Sequence, residues 1–301
     1  MSSREPLAGE RFELELGSEA YPPLLAQIDH PPKRLYGIGS QDALRPGVAV
    51  IGSRKATPYG LRCAHLFASR AAERGAVIIS GGARGCDQQA HRAAVELSGP
   101  TVVCFAGGAD VVYPAKGRKL FEQVLSCGGA IVSEHPWGTQ PLRPFFVQRN
   151  RIIAGLAKLL LIAEAGLPSG TFTTADAALS NGRDVVVVPG AITSANSRGS
   201  NSLFFQGARP VVDVKTFDAE LDAAFADIPL ALMPLSSREE ETACFTDDPV
   251  LKALSAEAYN PSELAAYFSF SLSELVERLG QYEMAGLVQR RGDGRYQVVP
   301  K

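Results

Sequence analysis

The chain has 301 residues, 46% hydrophobic and 21% charged, with no apolar run approaching the roughly 18 residues of a membrane span. A chain of this length and composition predicts a globular protein of about two domains and excludes a membrane channel or a disordered tail. Its net charge of −2 conceals opposed segments: residues 1–44 carry 4 Lys and Arg against 7 Asp and Glu, 45–215 carry 19 against 10, and 216–301 carry 7 against 15. A basic middle rich in arginine, between acidic ends, suits an anionic ligand such as phosphate or a nucleic-acid backbone. The opening Met-Ser-Ser-Arg-Glu-Pro lacks the apolar core of a secretory signal, so the expectation is cytoplasmic. Five scattered cysteines without a Cys-x-x-Cys pair argue against a zinc site or a disulfide framework. No metal or cofactor is expected.

Residues 1–44 read as a short N-terminal extension. From Val48, short apolar runs alternate with longer amphipathic segments, the pattern of a parallel sheet covered by helices on both faces. The fold class is therefore α/β, with a Rossmann-like domain over 45–215. Its strands are expected at Val48–Ile51, Ala76–Ser80, Thr101–Phe105, Ala130–Ser133, Leu159–Ala163 and Asp184–Val188, with Arg209–Val212 as an edge. Helices are expected at Tyr59–Gly75, Cys86–Leu97, Gly117–Cys127, Val147–Lys158 and Thr171–Asn181. Residues 216–244, with Pro229, Pro234 and a polar run at 236–241, read as an acidic linker.

Over 245–301 the pattern predicts helices at Pro249–Ala256, Pro261–Tyr267 and Ser271–Ala285, then a hairpin turning at Gly292-Asp293-Gly294. Three helices and a hairpin suggest a winged helix. Its third helix carries Glu274, Glu277 and Glu283 against Arg278, which favours protein contact or structural packing over a DNA groove.

In a parallel sheet, ligands bind beyond the carboxyl ends of the strands. Four turns lie there. Gly52-Ser53-Arg54 combines a tight turn, a donor and a cation before a helix. Ser80-Gly81-Gly82-Ala83-Arg84-Gly85-Cys86-Asp87 lets backbone approach a ligand but lacks the Gly-Lys-Ser/Thr ending of a triphosphate loop. Gly37-Ile38-Gly39 precedes the expected sheet, and no turn carries a dinucleotide fingerprint. The third turn runs from Arg143 through Phe145 and Phe146 to Arg149, Asn150 and Arg151, joining backbone clamps to an aromatic on which an unpaired base can stack, with core packing expected for one phenylalanine. Pro168-Ser169-Gly170-Thr171 is the fourth, and Gly182-Arg183 closes the helix that follows it.

In this order, the motifs resemble those of the DprA (Smf, DNA-processing protein A) family. The resemblance begins at Tyr21-Pro22-Pro23-Leu24-Leu25 and Pro31-Pro32-Lys33-Arg34-Leu35-Tyr36. It then passes through the Gly52 and Ser80 turns, Tyr113-Pro114, Ser133-Glu134, Arg149 to Leu156 and Ser169-Gly170-Thr171, and ends at Pro189-Gly190. It implies a Rossmann-like domain that binds and protects single-stranded DNA and helps load the RecA recombinase in natural transformation, with no catalytic step. It also implies a homodimer, and DNA contacts at Ser53, Arg54, Ser80 to Arg84, Phe146, Arg149, Asn150 and Arg151. Arg143, three residues before Phe146, is placed to reach the same backbone. The chain departs from the family pattern at Cys86, usually isoleucine, at Val147, usually proline, and over Thr171-Phe172-Thr173-Thr174.

The Pro168 turn is also similar to nucleotide-monophosphate phosphoribohydrolases of the lysine-decarboxylase-like group. Their motif is Pro-Gly-Gly-x-Gly-Thr-x-x-Glu, whereas here Thr174 stands where the catalytic glutamate is needed.

Overall fold

A computed structural model describes residues 7–228, 230, 248–284 and 286–299. The expected polar run at 236–241 and Cys244 lie outside the described residues. The chain divides into two compact units between residues 234 and 235.

The first unit is a nine-stranded sheet with helices on both faces. In chain order it contains β1 (Arg11–Glu15), α1 (Pro23–Ala26), β2 (Arg34–Gly39), β3 (Gly47–Gly52), α2 (Pro58–Glu73), β4 (Val77–Ser80), α3 (Cys86–Glu96), β5 (Thr101–Cys104), α4 (Arg118–Ser126) and β6 (Ala130–Ser133). There follow α5 (Arg143–Leu156), β7 (Ala157–Glu164), α6 (Thr171–Ser180), β8 (Asp184–Val187), α7 (Arg198–Phe205), β9 (Arg209–Pro210) and α8 (Val214–Ala224). The sheet order is β1-β2-β6-β5-β4-β3-β7-β8-β9. The strands from β6 to β9 pair in parallel, and β1 and β2 are antiparallel.

The parallel strands are apolar along their length because both faces are covered. Ala49 and Ile51 of β3 join Leu160 and Ile162 of β7 in one core layer, while Val48 and Val50 join Leu159 and Leu161 in the other. Chain order reverses between β3 and β7, which pair in register from Val48 with Leu159 to Ile51 with Ile162. That reversal opens a crevice at the carboxyl ends of the two strands.

Three expectations are corrected here. Residues 1–44 are not an extension ahead of the sheet, because β1 and β2 form its antiparallel edge. Gly37 and Gly39 belong to β2, and the Phe12 ring of β1 covers Gly37 so closely that a Cβ there would lie 2.3 Å from Cε2. The domain does not end at 215, since Phe217, Leu221 and Phe225 recur every four residues and bury against α2, with the Phe67 and Phe217 rings 5.1 Å apart. Helix α5 starts at Arg143 rather than Val147, with Pro144 in its first turn, where a missing N–H costs nothing.

The second unit contains α9 (Pro249–Ala256), α10 (Pro261–Phe268), α11 (Leu272–Met284) and the hairpin β10 (Val288–Arg290) with β11 (Tyr296–Val298). Leu251, Leu254, Leu264, Leu275, Leu279, Val288 and Val298 form its core. Asn260 and Glu263 cap α10 reciprocally, at 2.8 and 2.9 Å. This is the element order expected of a winged helix.

Candidate nucleic-acid interface

The crevice between β3 and β7 is a cleft of about 590 Å³ lined by residues of the Gly52 turn, the Gly81 loop, α5 and the turn before α6. Its construction starts at Glu164, the last residue of β7, which is 1% exposed. The Glu164 carboxylate accepts from the Thr57 amide at 2.8 Å and from the Thr57 hydroxyl, and its carbonyl accepts from the Ser53 amide at 2.8 Å. Burial raises its pKa. Thr57 caps α2, so Glu164 pins both ends of the segment carrying Arg54, one through its carboxylate and the other through its carbonyl. Gly52 is required there: a Cβ would lie 2.6 Å from the Cys86 sulfur and 2.9 Å from the Glu164 carbonyl oxygen. Cys86, the departure from the family pattern, is thus a fully buried packing partner of the turn.

Helix α5 supplies the opposite wall through Phe146, Arg149, Asn150 and Ile153, spaced i, i+3, i+4 and i+7 on one face. Phe146 is half-buried, with the Arg54 guanidinium 5.4 Å from its ring centroid and the Tyr113 ring meeting it edge-on at 5.5 Å. A cation and an aromatic therefore share the mouth of the cleft. Phe145 packs instead on His135, their rings 3.9 Å apart, and neither phenylalanine belongs to the sheet core. Asn150 donates from Nδ2 to the Thr173 hydroxyl at 2.8 Å and to the Gly170 carbonyl at 3.4 Å, joining α5 to the α6 turn. In that turn the Thr171 amide donates to the Ser169 hydroxyl at 3.2 Å. Val147, the second departure, is exposed on the cleft wall.

The structure sorts the expected site residues into two groups. Gly52, Ser53, Arg54, Phe146, Arg149, Asn150, Ser169, Gly170 and Thr171 line the cleft. Arg84 and Arg143 are exposed near it without lining it. Arg54, Lys55, Arg84 and Arg143 form no salt bridge with a described carboxylate. Ser80 is corrected: it is fully buried, and its hydroxyl donates 2.6 Å to the Val50 carbonyl inside the sheet. Arg151 turns away onto Glu134, with two nitrogens at 2.9 and 2.6 Å from its carboxylate oxygens. Arg183 is also corrected, because it precedes the amino end of β8, at the end of the strands opposite the cleft, and donates 3.0 Å to the Leu24 carbonyl.

Arg149 lines the cleft yet is 3% exposed, and it donates 3.0 Å to the Cys104 carbonyl. Gly81 lies over it, Gly82 faces Val103 and Phe121, and both glycines are buried. Sequence reasoning missed Lys55, Asp87, Glu164 and Thr173. Lys55 adjoins Arg54, and Glu164 ends an otherwise apolar strand run, a place where a carboxylate needs a partner. Among the described residues, no helix is long and apolar enough to cross a membrane.

Residues 14–222 match the family model for DNA recombination-mediator protein A. Protein Smf of Escherichia coli K12 is 43% identical over 193 residues, which is 64% of this chain and 51% of that one. The putative DNA processing protein DprA of Mycobacterium tuberculosis H37Rv is 36% identical over 280 residues, 90% of this chain and 69% of that one. The chain thus spans about half the length of the first relative. The X-ray structure of DprA from Streptococcus pneumoniae has a TM-score of 0.64 at 36% identity, covering 69% of this chain and 73% of that one. DNA processing protein A from Helicobacter pylori, described for its single-stranded DNA binding mode, has a TM-score of 0.64 at 28% identity, covering 73% and 99%. With that family model matched over residues 14–222, more than half of the chain and nearly all of the sheet unit from β1 to α8, the chain belongs to the DNA recombination-mediator protein A family.

Proposed function

We propose that this protein is a recombination mediator that binds single-stranded DNA in the β3–β7 cleft and delivers the strand to a RecA-type recombinase during DNA uptake. The observation that carries the reading is the Arg54 guanidinium poised over the Phe146 ring at the cleft mouth. A cation and a stacking surface within one groove suit an unpaired strand, whose phosphates and base faces are both accessible. Asn150, an amide suited to a base edge, has its Nδ2 engaged by Thr173 and Gly170, which supports weak sequence preference. The single-stranded DNA binding described for the Helicobacter pylori relative supports the same substrate class.

The reading extends to a homodimer acting in the cytoplasm, with a winged-helix C-terminal unit that contacts protein rather than duplex DNA, since α11 carries Glu274, Glu277 and Glu283 against Arg278. It includes no catalytic step.

Titration of labelled single-stranded and blunt duplex oligonucleotides across a salt series tests it. Three or four cation contacts imply a log–log slope of about −2 to −3 for the single strand. Salt-independent affinity, or equal affinity for blunt duplex, would refute the reading. Release of base from a nucleoside monophosphate would replace it with the phosphoribohydrolase alternative.

A further inference from the structure

We propose that Arg149 is a positioning residue, which together with buried Asp87 holds the Gly81–Arg84 loop in the shape that presents Arg84 to the strand, and makes no phosphate contact of its own. The proposal rests on the reading of the cleft as a single-strand site.

The loop lies directly on the guanidinium. A Cβ built on Gly81 would sit 1.6 Å from Arg149 Nη1, so only glycine lets the backbone approach this closely. Gly81 is outside the left-handed region, and its role is therefore this approach rather than an unusual φ. From the other side Asp87, 6% exposed in the first turn of α3, accepts from the Ala83 amide at 3.3 Å. Gln88 donates 3.2 Å to the Gly82 carbonyl, and Gly82, at φ +68°, makes the bend. Asp87 and Gln88 thus hold the loop by hydrogen bonds and Arg149 abuts Gly81, while Arg84 is exposed and free of salt bridges to described carboxylates. Burial lowers the Arg149 pKa and raises that of Asp87, and each partner opposes the shift of the other.

The test uses the full chain, a labelled oligothymidine strand and the variants Arg149→Gln, Gly81→Ala and Arg84→Ala, singly and combined. Each single variant is expected to lose about tenfold in affinity at low salt, the scale of one charge-assisted contact. Combining Arg84→Ala with either of the others should cost no more than the single change, since all three remove the same contact. Gly81→Ala removes no charge, yet its salt slope should fall by about 0.7, as in Arg84→Ala. Without DNA, trypsin cleavage after Arg84 should accelerate severalfold in Arg149→Gln and Gly81→Ala, a change that a mere phosphate contact would not produce.

Losses that multiply to about a hundredfold in the doubles, or wild-type affinity in Gly81→Ala, overturn the proposal. Unchanged trypsin cleavage overturns it as well. Should Arg149→Gln fail to fold, the Gly81→Ala and Arg84→Ala cycle decides the point alone. Absence of strand binding by the wild type would instead defeat the reading of the cleft, and the DNA-free cleavage would still judge the loop.

Discussion

The two ends of the sheet carry many of the same residue types and use them in opposite ways. Around the amino ends of the strands the cations are engaged. Arg70 forms a fork on Asp218 at 2.8 and 2.8 Å, Arg209 reaches Asp184 and Glu220 at 2.8 and 2.7 Å, Lys158 pairs with Asp227, and Arg183 bonds Leu24. Around the carboxyl ends Arg54, Lys55, Arg84 and Arg143 have no such carboxylate among the described residues. The +9 balance of the middle segment is therefore not spread evenly. Acidic α8 neutralises much of the amino end, leaving the excess positive charge around the cleft, where a polyanion can release counterions. The contrast teaches that a cation count indicates a ligand only after each cation has been checked for an internal partner.

Engaged groups should show in stability and open ones in binding. The largest expected effect is on stability and involves His91, fully buried on α3. Its Nδ1 donates 2.8 Å to the Thr101 hydroxyl, which itself donates to the Ile78 carbonyl, and Nε2 has no partner. Burial, with Arg149 nearby, lowers its pKa from 6.5 to about 3. Between those values the unfolded chain binds a proton that the folded chain refuses, so this contribution is full above pH 6.5 and is lost as pH falls toward 3. Across that window the loss is on the order of several kcal/mol. Burial of Asp87 and Glu164 biases stability in the opposite direction, so the measurement is the difference between wild type and His91→Gln in denaturant titrations at several pH values. Parallel acid profiles would remove His91 from the account.

Next in size is Phe146→Ala, expected to cost about 1–3 kcal/mol of strand affinity at every salt concentration, with its slope preserved. Arg54→Ala should weaken binding most at low salt and reduce the slope by about 0.7. Melting each variant beside its titration separates stacking from packing, since a core phenylalanine would cost about 3–5 kcal/mol of folding stability instead. A slope unchanged in Arg54→Ala would place that arginine with the engaged set.

Arg70→Ala is expected to cost about 1 kcal/mol of stability or less, because the fork is partly exposed, and to leave DNA affinity unaltered. Reduced affinity in this variant would break the division between the two ends. The smallest effect is expected from removing residues 245–301, which should leave most strand affinity in the sheet unit; near-complete loss would make the C-terminal unit a principal contact.

Much of the fold was legible because its signals are local. Apolar strand runs, glycine turns and helical spacing placed β3 to β8 within a residue or two at most ends, and the Gly52-Ser53-Arg54 turn lies in the cleft as expected. Other local signals were present but unread. Phe12 and Leu14 alternate inward in β1, and Pro144 marks a helix start, which would have put Phe146 and Asn150 on one face.

What the sequence by itself determined was the alternation of strands and helices, the chemistry of the turns and the excess of cations in the middle segment. The tertiary structure decided which strands are neighbours, and with that which cations find carboxylates. Arg54 lies two residues after Gly52 and Arg183 directly after Gly182, each in a glycine turn; one follows β3 at the open crevice, and the other precedes β8 at the amino ends of the strands. Arg149 and Arg151 are two residues apart on α5, so the helix turns one beneath the Gly81 loop and the other onto Glu134. The physical reason is that backbone preference acts over a few residues, whereas the fate of a charge depends on burial and on partners brought from distant parts of the chain.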